Sequence, residues 1–229
     1  MTAGPTAPGV DPPGGPDLAA GEFWTLLGPD FAGKSTVLNR LHDEHGWRVV
    51  SYDNRYLESY PLVRRLRELW IDGAFVWAGK RYTAELVLSV LHAIVLHLRD
   101  ETVRAVATGE PVIVDSYYYK LLAKCRLHGV GHDPTFDYWR SFPQPRGVLY
   151  IDVPGEEAWL RSGRGTRTNP FEHHGPAAER ESFVRFQDEL REAILAEVGE
   201  VPVTFVDGCA PPDEVAAKVL AALEMTVAR

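Results

Sequence analysis

One stretch of this chain has the residue types and spacing to hold phosphate. Gly28-Pro-Asp-Phe-Ala-Gly33-Lys34-Ser35 matches G-x-x-x-x-G-K-[ST] without a gap. Its glycines let the backbone turn N–H groups inward around phosphate oxygens, and a helix opening at Lys34 adds the positive end of its dipole. Lys34 is placed as a point cation for the β- and γ-phosphates of ATP, and Ser35 as a hydroxyl ligand to Mg²⁺. Pro29, Asp30, Phe31 and Ala32 complete the loop, and Thr36 follows it. A second candidate is Val112-Ile-Val-Asp115, an apolar run closing on a carboxylate. Asp115 is fitted to hold Mg²⁺ through water or to orient the attacking oxygen; alone, it would read as an ordinary strand-end turn residue. The third is Arg161, Arg164 and Arg167 in a Gly-containing stretch. They read either as a solvated basic loop or as a lid, over about 161–175, whose cations stabilise charge on the transferred group.

The elements that would position these groups follow from periodicity. Phe23–Leu27, Arg48–Ser51, Pro111–Val114, Gly147–Val153 and Val201–Val206 have strand character, the third and fourth as nearly continuous apolar runs. Helical spacing is present over Lys34–His45, Thr83–Ala107, Pro176–Val198 and Pro212–Leu223, the second with Leu86, Val90, Leu91, Ile94, Val95 and Leu98 on one face. Strands alternating with long helices imply crossovers and a parallel sheet whose ligands sit beyond the carboxyl ends of its strands. Asp53, Asp115 and Asp152, which close three of the strands, should then share one rim. The expected architecture is an α/β P-loop NTPase fold, a five-stranded parallel sheet flanked by helices, with one kinase domain over 22–229.

Composition narrows the setting. Residues 1–21 are crowded with Pro and Gly and nearly free of large apolar groups, so they are expected to stay a disordered tail; they carry no basic start or apolar run of a signal peptide. A net charge of −8 argues against nucleic acid or a membrane surface as the main partner. The longest apolar run, Leu86–Leu98, is too short to span a bilayer. Cys125 and Cys209 have no metal or disulfide spacing, as befits a reducing cytoplasm.

From Phe23 to Leu223 the chain resembles the thymidylate kinases. Asp30 sits inside the loop where that family keeps an Asp that touches the acceptor's sugar, and His97 precedes Asp115 by the family's His-to-Asp interval. Ile151-Asp-Val-Pro-Gly-Glu-Glu, Asn169-Pro-Phe-Glu172 and Val206-Asp-Gly-Cys209 resemble, in order, the runs before and after the family's lid and its last strand. The resemblance implies ATP and Mg²⁺ as cofactors, an adenine pocket built by the late segments, a small-molecule phosphate acceptor and a homodimer with Thr83–Ala107 near its interface. Two departures stand on the acceptor side. The family's Asp-Arg-Tyr is Asp115-Ser116-Tyr117 here, so the Arg that contacts the acceptor's phosphate is missing. The family's base-reading Arg is Ile94. Arg55-Tyr56 resembles an Arg-Tyr pair of some members, and Arg55 reads equally as a replacement phosphate contact or a surface cation. The acceptor pocket is thus expected around Asp30, Arg55, Tyr56, Ile94 and Tyr117, with Trp70, Trp77, Tyr82 and His92 as candidates for stacking. His128, His132, His173 and His174 form no metal set, and His173-His174 reads as solvated.

Three functions compete on these residues. The first is ATP- and Mg²⁺-dependent transfer to a nucleoside monophosphate or similar nucleotide. The second is a nucleoside or other hydroxyl kinase on the same scaffold, favoured by the missing arginine. The third, from another class, is a nucleotide-binding regulator without turnover, against which Lys34, Ser35, Asp115 and the three arginines argue.

Overall fold

The computed structural model of the chain describes residues 23–70 and 81–227; the stretch 1–21 and Trp77 lie outside them. Five strands, β1 (Trp24–Leu27), β2 (Arg48–Val50), β3 (Val112–Asp115), β4 (Gly147–Asp152) and β5 (Val203–Asp207), form one parallel sheet in the order β2-β3-β1-β4-β5. Helices lie on both faces: α1 (Lys34–His45), α2 (Pro61–Leu69), α3 (Ala84–Val106), α4 (Tyr119–Leu127), α5 (Asp133–Arg140), α6 (Gly155–Arg161), α7 (Arg180–Val198) and α8 (Pro212–Val227). This is the P-loop NTPase fold. Among the described residues no helix is long and apolar enough to cross a membrane.

Alternation along the strands divides the core. Trp24, Leu26, Ile113, Leu149 and Ile151 face α1 and α8 and pack with Val37, Leu38, Leu41, Val219 and Leu223. Leu27, Val112, Val114, Val148 and Tyr150 face the opposite way, onto Leu91, Val95 and Leu98 of α3 and Phe186 and Leu190 of α7. The apolar face of α3 starts one residue later than the spacing suggested. Val87 and Leu88 are buried while Leu86 is 52% exposed, because the first turn of the helix, capped by Thr83 Oγ1 accepting from Leu86 N, overhangs the core.

The strands that border β1 set the site. β3 runs beside β1 with Asp115 opposite Leu26, and Ser116 N donates to Leu26 O at 3.0 Å. The end of β3 therefore arrives next to the loop that begins at Gly28. Immediately after Asp115 the chain bends through two consecutive left-handed residues, Ser116 (φ 60) and Tyr117 (φ 43). That conformation is uncommon for a serine and costly for a bulky tyrosine, and strained turns of this kind gather at functional positions.

Candidate active site

The loop Gly28–Ser35 takes a backbone that its glycines make accessible. Gly28 has φ 148, and a Cβ there would stand 2.6 Å from Ile151 O, so only glycine lets β1 exit this close to β4. Gly33, at φ 89, turns the chain into α1. Lys34 Nζ lies back across the loop and donates to Pro29 O at 2.8 Å and Gly28 O at 3.2 Å. Burial, then the positive charge of Lys120, pushes its ammonium pKa down, with Asp115 and Asp30 opposing. An incoming phosphate would reverse that balance.

Two cavities meet at this loop. The first, of about 470 Å³, is lined by Asp30–Ser35, Tyr52, Asp53, Arg67, Trp70, Ile94, Asp115 and Ser116, by Lys120 and Lys124 of α4, and by Arg161, Arg167 and Asn169–Glu172. The second, of about 460 Å³, is enclosed by Gly33, Thr36, Val37 and the 208–212 turn with Val215. This is the late segment expected to build the adenine side. Phe31, Ala32, Gly33 and Arg161 belong to both walls. Asp115 is fixed in the first cavity by two hydroxyls, Ser51 Oγ donating at 2.8 Å and Ser116 Oγ at 2.9 Å. A carboxylate so oriented, in the same cavity as Ser35, suits a hydrated divalent cation.

Other sequence-derived candidates are placed differently from expectation. Tyr117 is fully buried, turned by its left-handed backbone into a cluster with Phe23, Tyr118, Tyr119 and Phe142, and lines neither cavity. Arg55 pairs with Asp43 and Tyr56 donates to Asn39 at 2.9 Å. Both face a separate cleft that His97 also lines, and neither lines the first cavity; the one-turn 3₁₀ segment Asn54–Tyr56 rotates them away. Of the three lid arginines, Arg161 is anchored by Glu157 and by Gly208 O at 2.9 Å, and Arg167 lies 5.7 Å over the Phe31 ring. Arg164, at φ 55 and exposed, lines neither cavity. Asp152 sits at the same sheet end, but its carboxylate accepts from Arg191 at 3.0 and 3.1 Å rather than facing the loop. His92 accepts from Trp139 Nε1 at 2.7 Å and is structural. His173 is buried and His174 pairs with Glu189, so that couple is not the solvated one expected. Trp70 and Ile94 do line the cavity, whereas Tyr82 is 43% exposed and does not.

The sequence reading passed over the ion cluster at the floor of the first cavity. Lys120 and Lys124 stand one turn apart on α4, 4% and 5% exposed, and both reach Asp30, at 2.8 and 2.9 Å. Lys120 Nζ also donates to Gly28 O at 3.0 Å. Gln187 of α7 closes the cluster, accepting from Asp30 N at 2.9 Å and donating to Asp30 Oδ2 at 3.1 Å and Glu172 O at 3.0 Å. Burial by itself would raise the Asp30 pKa, but Lys120, Lys124 and Lys34 together hold it well below the usual carboxylate range. Burial and the Asp30 charge push neighbouring Glu172 upward. The signal in the sequence was the i, i+4 lysine pair directly after the Asp115 turn.

No family model matches the chain. It is similar to the thymidylate kinase of Bacillus pumilus (strain SAFR-032), 23% identical over 219 residues that cover 91% of this chain and 97% of that protein. It is also similar to the probable thymidylate kinase of Thermococcus gammatolerans, 28% identical over 185 residues that cover 76% and 82%. The chain is thus thymidylate-kinase-like along most of its length, in accord with the order of its motifs.

Proposed function

We propose that this protein is an ATP- and Mg²⁺-dependent phosphotransferase that acts on a nucleotide-like acceptor through an acceptor site unlike that of the thymidylate kinases it resembles. The observation that carries the reading is the pair of cavities that share Phe31, Ala32, Gly33 and Arg161 at the Gly28–Ser35 loop; in this reading the one walled by the 208–212 turn takes the adenine and the other the acceptor. ATP would lie along the loop, its terminal phosphate drawing Lys34 off Pro29 O and Gly28 O. Ser35 and, through water, Asp115 would hold Mg²⁺, which would neutralise charge on the phosphate oxygens. Asp115, steadied by Ser51 and Ser116, is also positioned to orient the attacking oxygen. Arg161 and Arg167 stand where charge develops on the transferring group. The segment after α6 acts in this reading as the lid, with Arg164 outside its working face.

The acceptor side supports a change of substrate. Ile94 presents only methyl groups, Ser116 is 2% exposed and turned onto Asp115, and Arg55 is held on Asp43. A charge-assisted hydrogen bond contributes about 1.5–3 kcal/mol, so two missing ones cost a factor of hundreds or more at about 1.4 kcal/mol per tenfold. Thymidine monophosphate is therefore expected to be a poor acceptor, with kcat/KM below roughly 10⁴ M⁻¹s⁻¹. The test is ATP consumption by the purified protein against nucleoside monophosphates, nucleosides and unrelated hydroxyl compounds. Efficient turnover of thymidine monophosphate would refute the altered acceptor site, and consumption with none of the panel would refute the kinase reading as drawn. A hydroxyl acceptor is the second reading, favoured by the absence of an arginine at Ser116.

A further inference from the structure

The ion cluster beneath the acceptor cavity does not balance. Lys120 and Lys124 are buried and share a single carboxylate, Asp30. Gln187 neutralises nothing, and Lys34, the third lysine of the group, donates to two backbone carbonyls, Pro29 O and Gly28 O, rather than to a carboxylate. Glu172 is the other carboxylate in reach, yet its surroundings work against its ionisation and its Oε2 accepts from Asn169 N at 3.1 Å. In the same cavity, the Nε of Arg67 is buried with no hydrogen-bond partner. Buried cations normally have counter-ions and buried donors normally have acceptors. Here a surplus ammonium and an unmet guanidinium N–H both line a chamber that Trp70, Leu91, Ile94, Leu121 and Phe171 wall on its apolar side and that Asp53 and Asp115 also border.

We propose that Lys124 and Lys120 of α4, assisted by Arg67, form the acceptor-recognition element of this protein and bind an anionic oxygen group of the acceptor, phosphate or carboxylate. The proposal rests on the phosphotransferase reading for calling the ligand an acceptor, and it decides against the neutral hydroxyl acceptor. It also separates two roles for the lysines. If they only brace the loop, removing one weakens the fold and changes no ligand. If one is surplus, Lys124→Met leaves the Lys120–Asp30 pair balanced.

The test is thermal unfolding of the full chain saturated with Mg²⁺ and a non-hydrolysable ATP analogue, so that the loop and its γ-phosphate position are filled. Inorganic phosphate or acetate is then titrated. In the wild type one of the two anions is expected to raise Tm further in a saturable way, and which one does so separates a phosphoryl from a carboxyl group. Lys124→Met should keep the analogue's own Tm shift, lose little Tm, and bind the anion about tenfold or more weaker. Lys124→Arg, which keeps the charge, should retain anion binding and serves as the control for folding. The proposal is overturned if neither anion gives a saturable shift in the wild type, or if Lys124→Met binds it as tightly as wild type. Failure of the kinase reading shows separately, as absence of any shift with the ATP analogue; the Lys124 dependence of anion binding then still decides the proposal.

Discussion

At the scale of single residues, Lys34 and Asp30 carry the sharpest expectations. Lys34→Ala removes the cation that the proposed function puts beside the transferring phosphoryl, and turnover in the ATP-consumption assay should fall by at least about a hundredfold, roughly the loss seen when one preorganised charge contact is deleted. Wild-type rates in that variant would end the P-loop reading. Asp30→Asn strands Lys120 and Lys124 together, and breaking a buried pair from one side costs on the order of 3–5 kcal/mol. The pH dependence has a definite sign. The folded-state pKa of Asp30 is depressed, so its stabilisation is fully present above the unfolded value of about 3.9 and is lost as pH falls through the lower folded value. Denaturant melts of wild type and Asp30→Asn should therefore differ by a constant amount from about pH 5 to about pH 8, with the gap closing only in acid. A gap that changed through neutrality would mean that another group titrates in the cluster.

Among the elements, the post-α6 segment separates what spacing reveals from what only folding reveals. Three arginines in a Gly-containing run were legible as a group, but which of them face inward depends on the turn. Gly163, Arg164 and Gly165 all have positive φ, and this sets Arg164 outward while Arg167 reaches Phe31. Arg167→Ala is expected to lower kcat more than it raises the KM for ATP, and Arg164→Ala to leave both close to wild type; the reverse order in steady-state kinetics would show that the segment closes differently. The same contrast runs through the fold. The strands and α1 could be read from the sequence because apolar runs, Gly46 and the Gly33-Lys34 junction are local signals. Helices α2, α4, α5 and α6 were not, since they are only seven to nine residues long and polar or aromatic positions blur their period. With α4 unseen, Lys120 and Lys124 had no shared face on which to be noticed, and Arg67 on α2 was missed likewise. Tyr117 was misplaced for a different reason: nothing in a Ser-Tyr-Tyr-Tyr run announces a left-handed turn.

Over the whole molecule, charge is distributed against the average. The chain has a net charge of −8, yet Lys34, Arg67, Lys120, Lys124, Arg161 and Arg167 converge on one cavity. Against the carboxylates of Asp30, Asp53, Asp115 and Glu172 on the same walls, these cations are in excess, and such an excess attracts anionic ligands in a way that salt screens. Residues 1–21 are rich in Pro and Gly and nearly free of large apolar groups. Deleting 1–17 is expected to leave Tm and ATP turnover unchanged, and a clear drop in either would show that the tail docks on the domain.

Arg161 stands in the wall of both cavities, tied to Gly208 O on the side of the late segment and to Glu157 on α6. A ligand that recruits its guanidinium from either side alters the surroundings of the other. Such coupling is reciprocal in binding free energy: whatever factor the nucleotide imposes on acceptor affinity, the acceptor must impose on the nucleotide. In the phosphotransferase proposed above, the two substrates would then report on each other before any bond is made, through the wall of Phe31, Ala32, Gly33 and Arg161 that both cavities share.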